Sequence, residues 1–421
     1  MNKAVHFLNL DGRTNQKKNV TWNIVANILA AGQTFAFLLL VTRVLGADSA
    51  GIFSFAFAVA ALQSIPSYGI SDYQATDVRE KYKLHHYFWL RLFLCAAITA
   101  CSLLYLCLGD YAPEKTAVVL LIVFMRAVDS VDNVFNTMFL QKGRLECGAK
   151  LTAVRIALSY ICFLAAILIT ENLVQTCCFL AITYLLIFLA GIRLIFPVLK
   201  GRKWGLNRDI LSLAGECAPL FFSSFSLIYI TNLPKYSIDY CLTEELQGHF
   251  AILFLPVNII NLMSAFVLRP ILTKLSFTWE KEDYQGFYKI ILKYCLMLFL
   301  VILIFIILGR FPGLTLLSLF YGIDLNRYWQ EFLILLFAGG INAIVQFLTA
   351  VITTMRYAKQ LLFFYASGAV FGTLLAVGMA KGYGMLGIAV QFMAVQLMLL
   401  LCFAIFVYVI IRKAERKRPK A

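Results

Sequence analysis

Residues 117–141, AVVLLIVFMRAVDSVDNVFNTMFLQ, are long and apolar enough to cross a bilayer, yet Arg126, Asp129 and Asp132 sit in their middle. At about 100° per residue the three charges fall within an arc of roughly 120°, and Asn133 and Asn136 share it. Val128, Val131, Phe135 and Met138 point the other way. One face suits lipid or packed helices, and the other needs water or polar partners. A charge near mid-membrane costs about 2.5–3.5 kcal/mol on insertion scales, which makes such a face a functional-site candidate. Arg126 and Asp129, at i and i+3, can also neutralise each other and merely hold helices together. That blander reading leaves Asp132 and the two asparagines unexplained.

The rest of the chain agrees with a membrane setting. Hydrophobic residues make up 61% and charged residues 14%, and the mean hydropathy of +0.82 lies beyond what a soluble globular protein of this size shows. Apolar runs of about twenty residues recur along the whole length, and the short alternating segments of a β-barrel are absent. The expectation is an all-α polytopic membrane protein with about twelve spans: 20–42, 50–70, 84–108, 117–140, 148–169, 174–198, 211–240, 249–272, 287–308, 330–352, 361–380 and 385–411. The first is read as a retained helix, because it is too long for a signal-peptide core. The seventh is long and is expected to be interrupted by Pro234.

Lys and Arg concentrate in the N-terminal tail, 71–83, 141–150, 199–210, 273–289, 353–360 and the C-terminal tail. These outnumber the alternate set of segments about fourfold, which places both termini in the cytoplasm by the positive-inside rule. The basic tail then has anionic lipid headgroups as its partner, so the positive charge needs no nucleic acid. Loops are short, the longest outer one being 309–329, and no soluble domain is inserted. That weighs against lipid-linked sugar polymerases and ligases, which need a large outer loop. The eleven cysteines are scattered, mostly in apolar runs, and read as small packing residues. No P-loop, metal motif or catalytic constellation is present, so no enzyme, metal or cofactor is expected. Gly382-Tyr-Gly384-Met-Leu-Gly387 matches a dinucleotide fingerprint but follows a span, not a strand; its glycines read as a tight turn between the last two spans.

Few ionisable residues lie within the spans. Arg91, Arg193 and Lys293 sit near cytoplasmic ends and are expected to snorkel. Arg126 lies near the midplane and Arg155 some turns from the cytoplasm on the next span, where the two could line one cavity at two depths. Arg43, Lys235 and Arg269 are further candidate cations, and Glu216 and Asp239 further candidate acids. The excess of guanidinium points to an anionic substrate group, for which the Arg fork suits phosphate. Isolated carboxylates beside it could carry a coupling H⁺ or Na⁺.

The spans divide at 199–210 into an N-terminal lobe (1–200) and a C-terminal lobe (201–421) with a weak repeat. Gly51-Ile-Phe53 and Gly248-His-Phe250 open the second and eighth spans, and Gly143-Arg144 and Met355-Arg356 close the fourth and tenth. Asn19-Val-Thr-Trp22-Asn23, then Thr42-Arg43-Val-Leu-Gly46 and Gly51-Ile-Phe53-Ser54-Phe55-Ala56, resemble the start of the O-antigen-type polysaccharide-biosynthesis flippases. Asn232-Leu-Pro234-Lys235-Tyr236, Leu317-Ser-Leu-Phe320-Tyr321-Gly322 and Gly384-Met-Leu-Gly387-Ile-Ala389 extend the resemblance along the chain. That family belongs to the superfamily of multidrug, oligosaccharidyl-lipid and polysaccharide exporters. The resemblance implies two six-helix lobes around a central cleft, working by alternating access in the bacterial cytoplasmic membrane. It implies an undecaprenyl-pyrophosphate oligosaccharide as substrate, for O-antigen, capsule or exopolysaccharide, with polysaccharide polymerase and export machinery as partners. It also implies a cationic lumen, which Arg43, Arg126, Arg155 and Lys235 match in kind. The alternative is a multidrug cation antiporter, which should bring an acidic, Arg-poor cavity.

Overall fold

Thirteen α-helices follow one another in the computed structural model, which describes residues 16–77, 80–199 and 205–417. They are α1 Gln16–Ala60, α2 Ile65–Thr76, α3 Leu84–Leu108, α4 Pro113–Gln141, α5 Leu145–Thr170, α6 Leu173–Leu199, α7 Asp209–Cys241, α8 Glu244–Leu253, α9 Leu255–Glu280, α10 Tyr284–Leu308, α11 Leu314–Tyr321, α12 Trp329–Thr354 and α13 Ala358–Lys417. No strand occurs among the described residues. The chain is a polytopic all-α membrane protein. Among the described residues nine segments are long and apolar enough to cross a membrane. Two of these, Val20–Thr76 and Lys359–Arg416, run to 57 and 58 residues. Each is broken where a glycine takes a backbone conformation that side chains disfavour, Gly46 at φ 90° and Gly384 at φ 59°. The two double-length segments, together with the charged α4, bring the nine to the twelve spans read from the sequence.

Two expectations change. α7 runs unbroken from Asp209 to Cys241, through Pro219 and Pro234, so the seventh span is one helix. The segment 309–329, read as the longest loop, is largely helical: a wide turn at Gly309–Gly313 leads into α11, which buries Leu314 and Tyr321.

The chain forms two compact units, Met1–Ile228 and Tyr229–Ala421, and the boundary falls inside α7. In the first unit α4 is the central helix, packed against α1, α2, α3, α5 and α6. Pro113 opens it, with Glu114 in its first turn favouring the positive end of the helix dipole. Its apolar face is buried: Val128, Val131, Phe135 and Met138 are between 1% and 8% exposed. That face meets protein, which leaves the polar face to a cavity. In the second unit α12 has the same role, packed on α8, α9, α10 and α13, with Asn342 donating to Asn261 Oδ1 at 3.2 Å. Both central helices end on a left-handed residue, Gly143 (φ 70°) and Arg356 (φ 67°), at the places where the sequence shows its weak repeat.

Candidate functional site

The polar face of α4 opens on a cavity of about 450 Å³ inside the first unit. Its walls are Asn23 and Asn27 of α1, Ser67, Ser71 and Asp72 of α2, Arg126, Asp129, Asn133 and Asn136 of α4, and Thr152 of α5, among others. Helical periodicity sets this arrangement: residues 126, 129, 133 and 136 repeat at three and four, so one stripe supplies an ion pair and two amides.

Four charges make a chain across α4 and α5. Arg126 Nη1 lies 3.7 Å from Asp129 Oδ2. Asp129 Oδ1 also accepts from Arg155 Nη2, and Asp132 Oδ2 accepts from Arg155 Nη1. Arg155 is only 4% exposed and lies against the ring of Tyr184, 5.5 Å from its centroid. The expectation that Arg155 lines the cavity as an available cation is corrected here. A guanidinium buried in low dielectric needs counter-charge, and the two aspartates on the neighbouring helix supply it. Arg126 lines the cavity, is half-buried and packs 5.1 Å from the centroid of Phe57.

Arg91 was expected to snorkel, and instead it is 0% exposed. Its Nη1 donates to Ser130 O (3.2 Å) and Asn133 Oδ1 (2.9 Å), and its Nη2 donates to Ser71 Oγ (2.7 Å). Asn133 Oδ1 also accepts from Ser71 Oγ at 2.7 Å and from Thr137 Oγ1 at 3.2 Å. That oxygen is thus held by three donors, and Asn133 itself lines the cavity. Arg91 is therefore a positioning residue that sequence reasoning missed. A cation near a span end looks the same whether it reaches to water or folds inward onto polar neighbours. Arg193 and Lys293 are exposed.

Other candidates lie elsewhere. Arg43 is exposed on α1, three residues before Gly46, and does not line the cavity. Glu216, on the first part of α7, accepts from Lys81 Nζ (2.6 Å), Tyr82 OH (2.8 Å) and Tyr73 OH. The hydrogen bond to Glu216 holds the Lys81 ammonium above its ordinary range. The same loop is pinned by Asp77, whose carboxylate accepts from Lys81 N (2.9 Å), Tyr82 N (3.0 Å) and Tyr87 OH (2.9 Å). Burial pushes the Asp77 carboxyl up, but these donors and the Lys81 charge outweigh it and hold the group below the usual carboxylate range. Lys235 and Asp239 are half-buried on the part of α7 that belongs to the second unit. The side chain of Arg269 lies outside the described residues. No cluster of His, Cys, Asp and Glu suited to a metal occurs among the described residues.

Comparison with known proteins gives this geometry a family. The model of a family described as polysaccharide biosynthesis protein matches residues 16–276, more than half of the chain and all of the cavity. The chain belongs to that family. No curated protein matches it in sequence. Solved structures share the fold at low identity. An inward-facing multidrug resistance MATE family transporter of the MOP superfamily is 12% identical, with a TM-score of 0.72 over 94% of this chain and 100% of the other. The lipid II flippase MurJ in an inward closed conformation is 13% identical, with a TM-score of 0.69 over 91% of this chain and 87% of the other. A MOP superfamily transporter from Pyrococcus furiosus is 13% identical, with a TM-score of 0.60 over 95% of this chain and 96% of the other. This family member thus has the fold of MOP superfamily transporters and flippases, and none of these structural relatives is described as an enzyme.

Proposed function

We propose that this chain is a flippase that moves a polyprenyl-pyrophosphate-linked oligosaccharide from the cytoplasmic to the outer leaflet for surface polysaccharide assembly. It works by alternating access in the bacterial cytoplasmic membrane, with both termini in the cytoplasm and an ion gradient driving it. The observation that carries the reading is Arg126: a guanidinium midway along a central membrane helix, facing a polar cavity, in a polysaccharide biosynthesis family. A pyrophosphate does not cross hydrocarbon unaided, and a guanidinium fork suits its oxygens. Asn23, Asn27, Asn133 and Asn136 offer hydrogen bonds for polar groups beside it. The likeness to a lipid II flippase fits a lipid-linked substrate.

One observation favours a second reading, a multidrug cation antiporter. Among the described residues the charged side chains lining the cavity are Asp72, Asp129 and Arg126, so carboxylates outnumber guanidiniums there. Leaflet exchange in proteoliposomes separates the two. A fluorescent undecaprenyl-pyrophosphate oligosaccharide should exchange in a protein-dependent way, and Arg126→Ala should abolish that exchange at normal expression. Absence of exchange, together with gradient-driven efflux of a cationic dye, would replace the flippase by the antiporter.

A further inference from the structure

Resting on the proposed lipid-linked oligosaccharide, we infer that Tyr68 and Asp72 on α2 form a subsite for the sugar next to the pyrophosphate, and that this subsite takes a neutral sugar and turns away an acidic one. The two residues stand one helical turn apart and share the face of α2 that lines the cavity. Tyr68 is 60% exposed. Ser67 and Ser71 on the same face are already engaged. Ser67 Oγ meets Ser130 Oγ at 2.8 Å, and Ser71 Oγ donates to Asn133 Oδ1 and accepts from Arg91 Nη2. The Tyr68 hydroxyl and the Asp72 carboxylate have no hydrogen-bond or ion-pair partner among the described residues.

The chemistry of these two groups fits a sugar. A sugar ring has an apolar C–H face and a rim of hydroxyls. A phenol ring offers a flat apolar surface to the first, and a carboxylate, which only accepts, needs donors such as the second. The rest of the cavity wall is mostly amides and hydroxyls, with apolar contributions from alanines, Leu140 and Leu145. Its volume of about 450 Å³ lies within the range of small-molecule sites, about 300–1,000 Å³. Such a wall suits a hydroxylated ligand better than a lipophilic one. The charges then decide which sugar enters. Among the described residues Arg126 is the guanidinium that lines the cavity, and the pyrophosphate takes it. Arg155 is divided between Asp129 and Asp132, and Arg91 is enclosed by Ser71, Ser130 and Asn133. A sugar carboxylate would find no cation of its own and would lie beside Asp72 as a like charge. At about 6–10 Å and an effective dielectric of about 20, that repulsion weakens binding by a factor of roughly 15–100.

The test compares undecaprenyl-pyrophosphate sugars in proteoliposomes of the full chain at neutral pH, each labelled on the lipid. Two pairs are used, galactose against galacturonate and glucose against glucuronate, so the members of a pair differ only at C6. Both rates of a pair are taken on the same vesicles, and their ratio does not depend on how much protein is folded. Wild type should exchange the neutral lipid at least about tenfold faster than the acidic one. Asp72→Asn should bring the ratio close to one by raising the acidic rate, with Asp72→Ser as a second neutral variant, and Asp72→Glu should keep the ratio. Tyr68→Leu should slow both members of a pair roughly three- to tenfold and leave their ratio alone. A wild-type ratio near one would overturn the inference, and that measurement needs no variant to fold. Faster exchange of the acidic lipids would overturn it as well, as would a ratio that survives both neutral variants at Asp72, because the discrimination would then lie elsewhere. Wild-type rates in Tyr68→Leu would remove the ring from the subsite. Equal exchange of neutral and acidic lipids keeps the flippase and removes the subsite; exchange of none of the four removes the flippase and the subsite with it.

Discussion

Replacing Arg155 by leucine should separate what this residue does from what Arg126 does. Arg155 is 4% exposed and holds Asp129 and Asp132 at once. Its removal leaves Asp132, the more enclosed carboxylate, without its counter-charge, and leaves Asp129 with Arg126 alone. Breaking a buried pair from one side costs about 3–5 kcal/mol. At about 2–4 °C per kcal/mol for a unit of this size, the melting temperature in detergent should fall by roughly 6–20 °C. Adding Asp129→Asn and Asp132→Asn to Arg155→Leu removes the stranded charges, so the triple variant should recover most of that loss. Arg126→Ala should behave differently. Its side chain is 23% exposed and its carboxylate at 3.7 Å is already held by Arg155, so the change in stability should stay within about 1 kcal/mol. Leaflet exchange should nevertheless be lost. A melting temperature for Arg155→Leu within about 2 °C of wild type would refute the reasoning. Equal destabilisation by Arg126→Ala would refute it as well, since both arginines would then be structural.

Arg91→Leu should cost about 1–3 kcal/mol, because it removes the charged donor to Asn133 Oδ1, Ser71 Oγ and the Ser130 carbonyl; thermal melting checks it, and no loss would mean that water replaces the guanidinium. Asp77, with a depressed carboxyl, supports its loop fully above the ordinary carboxylate range, near pH 4, and loses that support as pH falls through its own lower value. Hydrogen exchange at Lys81 and Tyr82 should therefore be slow at neutral pH after correction for the intrinsic rate, faster in strong acid, and fast at both in Asp77→Ala. At Gly387 an added Cβ would run into the Met379 carbonyl oxygen, a backbone atom that cannot swing aside, so Gly387→Ala should cost about 1–3 kcal/mol in a melting experiment. Gly378→Ala, where a Cβ meets open space, is the control.

The fold was legible because its signals are local. Apolar length sets a crossing, and the glycines at 382, 384 and 387 mark a turn between two apolar runs, so the spans and the turn at Gly384 follow from the order of residues. The pattern on α4 was legible for the same reason: a period of 3.6 puts Arg126, Asp129, Asn133 and Asn136 on one stripe whatever surrounds it. Partners were not legible, because they come from other helices. Arg91 and Arg126 are both lone arginines in apolar sequence, yet one is sealed among Ser71, Ser130 and Asn133 and the other faces the cavity. The same holds for Arg155, which sequence reasoning counted among the available cations, and for Glu216, which meets Lys81 and Tyr82 more than a hundred residues away in the chain. Sequence alone determined a polytopic helical membrane protein with a polar stripe on its fourth span, since hydropathy and helical period belong to the chain itself. Only the tertiary structure decided which charges cancel and which remain for a ligand, because the strength of a charge in a membrane depends on the low-dielectric neighbours that packing brings to it.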